Sequence, residues 1–156
     1  MDSINEKCAV IGVSNSKDID VARLAYLGLW SMQHRGQDSS GIASYDGIKL
    51  HVHKKAGLVS NVYDDDSLAT LRGQSAIGHN RYATSGGGSH VFNQPFCNEG
   101  MNFAFAHNGN LPFTDKLKDY AIANQLFTPD INDSGLMALA LGNELKKTGS
   151  IEQALR

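Results

Sequence analysis

The first third of the chain alternates short apolar runs with turn residues, which predicts a strand followed by a helix. Residues 8–13 form an apolar run rich in β-branched side chains and end at three turn-forming residues, a composition typical of a buried strand. A helix can start at Asp18 or Asp20 and stop at Gly36. Its predicted sheet-facing side consists of Val21, Leu24, Ala25 and Gly28.

The middle of the chain is predicted to continue mainly as strands. From residue 48 to 53 apolar and polar side chains alternate, which predicts a strand with one core face and one wet face, and Asp46-Gly47 before it is a hairpin signal. A short helix is predicted over 64–72, closed by Gly73. Two more strands are predicted, over 75–79 and 101–106.

The last third is predicted to be helical. Two helices fit residues 114–125 and 132–147, each preceded by polar residues suited to an N-terminal cap. Ser150 followed by Gln153 is typical of a capping box, which predicts a new helix that continues past Arg156. We therefore expect that the chain is truncated relative to its parent protein and that the isolated chain lacks part of its core.

Composition narrows the function classes. The 156 residues are 41% hydrophobic, which suits one globular domain. The 14 basic and 16 acidic residues nearly balance, so no electrostatic argument favours nucleic acid or an anionic membrane as partner. No run approaches the roughly 20 apolar residues of a membrane span, and two cysteines make no disulfide framework. We expect a cytoplasmic protein that acts on a small molecule.

A cysteine near the start is the first candidate for chemistry. Removal of Met1 to Lys7 would make Cys8 the first residue and place a thiol and a free α-amino group on it. An α-amino group ordinarily has a pKa of about 8, close to that of a free thiol, so at neutral pH it can accept a thiol proton. One residue can then serve as both nucleophile and base.

The second candidate is the segment His107-Asn108-Gly109-Asn110, which follows the strand predicted over 101–106. An Asn-Gly pair offers a side-chain amide and a backbone N–H, the two donors that a tetrahedral oxyanion needs. With Cys8, this segment predicts acyl transfer on an amide.

Six sequence blocks occur in an order that resembles a known family. They resemble the N-terminal glutaminase domain of amidophosphoribosyltransferases. The enzymes of this family are class II (N-terminal nucleophile) glutamine amidotransferases. The blocks are residues 8–13, Gln33-His34-Arg35-Gly36-Gln37-Asp38 with 39–43, 57–60, Gly78-His79-Asn80-Arg81-Tyr82 with 83–84, Asn93-Gln94-Pro95-Phe96, and 107–111. The resemblance spans residue 8 to about Arg156.

The resemblance implies a fold and a reaction. The fold is α+β, a four-layer αββα sandwich of the N-terminal nucleophile hydrolase type, here incomplete at the C-terminus. Residues 1–7 would be a leader or propeptide, residues 8–156 a truncated glutaminase domain, and the phosphoribosyltransferase domain would be absent. The parent would convert glutamine and phosphoribosyl pyrophosphate to phosphoribosylamine, glutamate and pyrophosphate. We expect no cofactor in this fragment. In the parent the resemblance implies Mg²⁺ and a homo-oligomeric state, and it leaves open a [4Fe–4S] cluster, which only some leader-bearing relatives carry.

The resemblance also implies a role for each matching residue. Cys8 would be the nucleophile, and Asn108 and Gly109 the oxyanion donors. The glutamine substrate would be bound by Arg81 at its α-carboxylate and by Asp133 at its α-ammonium group. Tyr82 and the glycines at 86–88 would form the loop that closes over glutamine. Arg35 would brace this loop or contact the substrate.

Two other hypotheses remain open at the level of the sequence. The chain could be another class II amidotransferase with a different ammonia acceptor, similar to glucosamine-6-phosphate synthase, or an unprocessed fragment without activity. The remaining cysteine and two of the histidines have simpler interpretations. Cys97 is expected to be a buried apolar thiol, and His51 and His53 are expected on a solvated strand face rather than at a metal site, since no third ligand has suitable spacing.

Overall fold

The computed structural model describes residues 8–15, 19–82, 92–126 and 131–156. Three features predicted above therefore lie outside the described residues: the leader 1–7, the alternative helix cap at Asp18, and the glycines at 86–88. The chain is a mixed α+β protein with antiparallel sheets, and it divides into two compact units, one ending at Gly109 and one running from Asn110 to Arg156.

Both units follow the predicted order of elements. The first unit contains β1 (Ala9–Ser14), α1 (Val21–Ser31), a 3₁₀ turn (Gln33–Arg35), β2 (Ser39–Tyr45), β3 (Leu50–Ala56), α2 (Val59–Val62), α3 (Asp65–Thr70), β4 (Ser75–Arg81), β5 (Phe96–Asn98), a second 3₁₀ turn (Glu99–Met101) and β6 (Phe103–Phe105). The second contains α4 (Asp115–Ala123), α5 (Asp133–Thr148) and α6 (Ile151–Ala154). Strand β5 and helix α2 were not predicted, and strand β2 was implied only as the partner strand of the Asp46-Gly47 hairpin.

The main sheet of the first unit has four strands in the order β1-β4-β2-β3, all antiparallel. The register places Ala9 opposite Asn80, and Ser39 opposite both Arg81 and Ala56. The starts of β1 and β2 therefore meet the ends of β3 and β4 at one end of the sheet, which we call the active end. Strands β5 and β6 pair separately as a two-stranded sheet.

Helix α1 packs against the main sheet through one buried stripe. Asp20 caps the helix by accepting a hydrogen bond from the backbone N–H of Arg23 at 2.9 Å. The prediction that Leu24 faces the sheet is wrong, because the buried arc is centred on other positions and leaves Leu24 at its edge, 42% exposed. The buried residues of the stripe are Val21, Ala22, Ala25 and Leu29, which share a core with Ile42 and Ala76 of the sheet.

Helix α1 also ends earlier than predicted, at Ser31. The side chain of Gln33 donates to the carbonyl of Gly36 at 2.6 Å and accepts from the backbone N–H of Val59 at 2.5 Å. These bonds hold the chain in a 3₁₀ turn over Gln33–Arg35 and draw it towards α2. A tertiary contact, and not local helix propensity, therefore decides where α1 stops.

The β2–β3 hairpin forms at the predicted turn with a different strand boundary. The Asp46 carboxylate accepts from the backbone N–H groups of Ile48 and Lys49, so Ile48 lies exposed in the turn and β3 starts at Leu50. His51 bonds to Asp46 at 2.7 Å and His53 to the carbonyl of Val62 at 2.8 Å. The expected solvated face is thus partly covered, and no cluster of three or more His, Cys, Asp or Glu residues suited to a metal occurs in the described ranges.

In the second unit two of the three predicted N-terminal caps are present, whereas Thr114 precedes α4 without a side-chain capping bond. Asn132 caps α5 by accepting from Gly135 N–H at 2.8 Å, and Gly149 ends the helix in a left-handed conformation. Ser150 caps α6 by accepting from Gln153 N–H. Within the ranges given above, no helix is long and apolar enough to cross a membrane.

Leu29 tests how much of the stability comes from packing of α1. Its side chain is fully buried, so Leu29→Ala should lower the free energy of unfolding by about 2–5 kcal/mol through lost burial and a residual cavity. Leu24→Ala, the same change on the exposed edge of the helix, should cost less than about 1 kcal/mol. Urea denaturation measures both values, and equal losses would contradict the packing described here.

Candidate active site

Cys8 lies at the active end of the sheet, directly before β1. The Sγ atom accepts a hydrogen bond from the backbone N–H of Tyr82 at 3.4 Å and lies 4.0 Å from the Tyr82 carbonyl oxygen. The Nε of Arg35 donates to the carbonyl of Cys8 at 3.5 Å. The partly exposed thiol thus contacts the main chain of Tyr82, 74 positions away in sequence, while Arg35, 27 positions away, holds the Cys8 carbonyl.

The segment around Arg35 wraps the end of β4. A Cβ atom at Gly36 would come within 2.9 Å of the backbone of Asn80 and Arg81, so only glycine allows this approach. Asp38 continues the contact by donating its backbone N–H to the carbonyl of Arg81 at 3.0 Å. The Gln-His-Arg-Gly-Gln-Asp motif therefore holds Cys8 and the end of β4 in one place.

Arg81 ends β4 beside Tyr82. Its guanidinium lies 5.7 Å from the centre of the Phe92 ring, within the range of a cation–π interaction. Among the described residues, no carboxylate forms an ion pair with Arg81 or Arg35. The active end therefore presents two guanidinium groups that can accept an anionic ligand.

Asn80 fixes the end of β4 through hydrogen bonds of its side chain. Its fully buried amide accepts from the Ser40 hydroxyl and donates to the carbonyl of Leu29, both at 2.8 Å. These bonds connect β4 with β2 and with α1. Asn80 belongs to the sequence block at 78–84, but no local pattern in the sequence indicates its role.

His79 is the second buried polar residue of β4. Its side chain is 1% exposed, and neither ring nitrogen has a hydrogen-bond partner among the described residues. Burial lowers the pKa of His79 to about 4, and the nearby charges of Arg81 and His107 act in the same direction. The imidazole is therefore neutral at pH 7.

The candidate oxyanion segment follows β6. The side-chain amide of Gln94 forms hydrogen bonds with both backbone groups of His107, accepting from N–H at 2.7 Å and donating to the carbonyl at 3.3 Å. Asn108 and Gly109 come next and are exposed. The main chain that leads into the predicted oxyanion donors is thus anchored, while the donors themselves face solvent.

Asp133 belongs to the second unit and begins α5. Its carboxylate accepts from the backbone N–H groups of Leu111 at 2.9 Å and Ser134 at 2.7 Å. These bonds fix the position of the carboxylate within its unit. Its role towards an α-ammonium group stays a prediction.

The chain is similar to known proteins over nearly its whole length. The amidophosphoribosyltransferase of Methanocaldococcus jannaschii is 38% identical over 152 residues, which cover 96% of this chain and 32% of that protein. The solved structure of the glutamine phosphoribosylpyrophosphate amidotransferase from Bacillus subtilis, complexed with ADP and GMP, matches with a TM-score of 0.76 at 31% identity, over 94% of this chain and 31% of that one. The chain is homologous to the N-terminal glutamine domain of amidophosphoribosyltransferases.

A second solved structure agrees with the first. It is described as the allosteric regulatory enzyme of purine biosynthesis and matches with a TM-score of 0.77 at 35% identity, over 94% of this chain and 31% of that one. No protein-family model matches the sequence. The chain spans about a third of the length of these relatives. The resemblance to amidophosphoribosyltransferases drawn from the sequence blocks is confirmed.

The structure brings together some of the predicted site residues. Cys8, Arg35, Arg81 and Tyr82 meet at the active end, and Asn108 and Gly109 follow β6 in the same unit. No sequence pattern indicated the role of two supporting residues, Gln94 and Lys54. The ammonium group of Lys54 donates to the carbonyls of Asn93 and Pro95 on either side of Gln94. Gln94 stands in a quoted block, but nothing in the sequence indicates that its amide contacts His107, 13 residues away.

His79 makes stability depend on pH. Its pKa in the folded chain, about 4, is below the ordinary value of about 6.5, so the unfolded chain binds this proton more readily. The free energy of unfolding should therefore fall as pH drops from 6.5 to 4, by up to about 3 kcal/mol from this residue, with no contribution above pH 7.

Denaturation between pH 7.5 and 4.5 measures this effect. His79→Gln cannot titrate and should show a shallower loss of stability towards acid than the wild type. His34→Gln, a change at an exposed histidine, should keep the wild-type slope. Identical slopes for wild type and His79→Gln would refute the assignment.

Proposed function

We propose that this chain hydrolyses glutamine to glutamate and ammonia through a thioester on Cys8. The observation that carries the proposal is the position of the Cys8 thiol. It contacts the main chain of Tyr82 at the sheet end where Arg35 holds the Cys8 carbonyl and Arg81 lacks an ion-pair partner among the described residues. A nucleophile at the same end of the sheet as this guanidinium suits a substrate that carries a carboxylate and a reactive amide.

The chemistry requires a free amino group on Cys8. Once residues 1–7 are removed, this amine takes the thiol proton, and the sulfur attacks the side-chain carbonyl of glutamine. The resulting oxyanion receives hydrogen bonds from Asn108 and the Gly109 N–H. The amine then gives its proton to the leaving nitrogen, which departs as ammonia, and water hydrolyses the thioester to release glutamate and the thiol.

Two charged side chains are proposed to bind the charged α-substituents of glutamine. Arg81 binds the α-carboxylate and Asp133 the α-ammonium group, while Tyr82 borders the loop that closes over the substrate. The contact of Arg35 with the Cys8 carbonyl favours a bracing role for Arg35 over direct contact with glutamine.

In the whole protein we propose that the ammonia reacts with phosphoribosyl pyrophosphate to form phosphoribosylamine, the first step of de novo purine synthesis. Similarity to amidophosphoribosyltransferases supports this acceptor over that of a glucosamine-6-phosphate synthase. The parent would be a cytoplasmic homo-oligomer that has a phosphoribosyltransferase domain and uses Mg²⁺. The ligands of a [4Fe–4S] cluster, which some leader-bearing relatives carry, would lie beyond Arg156. The mixed α+β fold supports a four-layer αββα sandwich for the complete glutaminase domain.

The first test concerns processing. The full-length parent protein that begins at Cys8 should hydrolyse glutamine, whereas Cys8→Ser and Cys8→Ala should abolish hydrolysis, because the thiol nucleophile is lost. Cys97→Ser removes the other free thiol and should keep activity. Glutamate release, with mass spectrometry of the N-terminus, measures the result. Full activity in protein that retains Met1 to Lys7 would refute the role of the amine.

The second test separates binding from chemistry. Arg81→Ala and Asp133→Ala should mainly raise KM, since both groups hold the substrate in ground and transition states alike. Asn108→Ala should lower kcat by about 10²- to 10³-fold with little change in KM, because its donor acts on charge that exists only in the tetrahedral species. The opposite pattern in steady-state kinetics would mean that these roles are misassigned.

A further inference from the structure

We infer that Gln94 is a positioning residue for the oxyanion donors. The inference rests on the proposed function in one respect, the role of Asn108 and Gly109 in stabilising the tetrahedral intermediate. The geometry that carries it is independent of that role, because a single side chain forms hydrogen bonds with both backbone groups of His107.

These two bonds determine the orientation of the next residue. The carbonyl of His107 and the N–H of Asn108 belong to one planar peptide unit, so a donor on that carbonyl also orients the Asn108 N–H. The bond to the His107 N–H fixes the preceding peptide unit. Asn108 therefore leaves a main chain that is held on both sides of His107, which limits the directions open to its exposed amide.

Gln94 is itself rigidly held. Its side chain is buried, with the residue 6% exposed. The ammonium group of Lys54 on β3 donates to the carbonyls of Asn93 and Pro95, both at 2.9 Å, and so fixes the main chain on each side of Gln94. The positive charge makes these bonds stronger than neutral ones.

Gly41 on β2 permits this arrangement. A Cβ atom at Gly41 would come within 2.2 Å of the Gln94 carbonyl oxygen, so the segment 93–95 can lie against the sheet only because this position has no side chain. A path of direct contacts therefore leads from the main sheet, through Lys54 and Gly41, to Gln94 and on to His107. This path places the oxyanion donors relative to the sheet that carries Cys8.

Kinetics provide the first test, in the full-length protein processed to Cys8. Gln94→Leu removes both bonds at similar volume and should lower kcat by about 10- to 100-fold with KM nearly unchanged, because a misplaced donor weakens only the transition state. Gln74→Leu makes the same change at an exposed glutamine before β4, at the opposite end of the sheet, and should leave both constants at wild-type values. A rise in KM without a fall in kcat would overturn the inference.

A double-mutant cycle distinguishes positioning from a general structural effect. If Gln94 acts through the oxyanion donors, Gln94→Leu should cost much less kcat in the Asn108→Ala background than in the wild type. Multiplicative losses would mean that Gln94 acts independently of Asn108 and would contradict the inference.

Amide hydrogen exchange tests whether Gln94 holds the His107 main chain, and it does not require an active enzyme. Gln94→Leu should speed exchange of the His107 N–H at least 10-fold, while Ile42 N–H in the centre of the sheet stays protected. If the wild type shows no glutaminase activity, the proposed function fails while exchange still tests the positioning. If Gln94→Leu also exposes Ile42, Lys54→Met is measured instead and should accelerate His107 selectively. An unchanged His107 rate in a folded variant would overturn the inference.

Discussion

The antiparallel register between β1 and β4 is the constraint on which the candidate site depends. Because Ala9 lies opposite Asn80, Cys8 falls level with Arg81 and next to Tyr82. A shift of one residue would turn every side chain of β1 to the other face of the sheet and move Cys8 away from its contacts. The register is secured by packing, since Ile11 and Val13 must face the core that α1 forms.

Buried polar groups reinforce this arrangement where apolar packing alone would be imprecise. Asn80 connects β4 to Ser40 and to the carbonyl of Leu29, which leaves its amide satisfied inside the core. Gln94 does the same for the segment before Asn108, with hydrogen bonds to both backbone groups of His107. His79 differs, because it is buried without a hydrogen-bond partner on its ring among the described residues and stays neutral. Directional hydrogen bonds between distant parts of the chain therefore position the residues of the site.

Much of the fold was predictable where local signals are strong. Strand β1, the Asp46 turn, the Asp20 cap and the Asn132 cap follow from residue types at fixed spacing. The errors arose where tertiary contacts overrule local preference, as at Leu24 on the edge of the buried arc and at Ser31, where the contacts of Gln33 end the helix. The three-residue strand β5 offered too short a pattern, because its pairing with β6 depends on a partner rather than on its own sequence.

The sequence by itself determined the chemical groups and the family. A thiol that processing would make N-terminal, an Asn-Gly pair after a strand and ordered motifs around Arg35 and Arg81 carry that information, because residue type and order are properties of the chain. Only the tertiary structure decided which groups meet. The contacts of Cys8 with Arg35 and Tyr82, and of Gln94 with His107, join residues whose proximity depends on strand register and on close backbone approach at Gly36 and Gly41. Local sequence patterns do not indicate which distant residues come into contact, because strand register and close packing depend on the whole sheet.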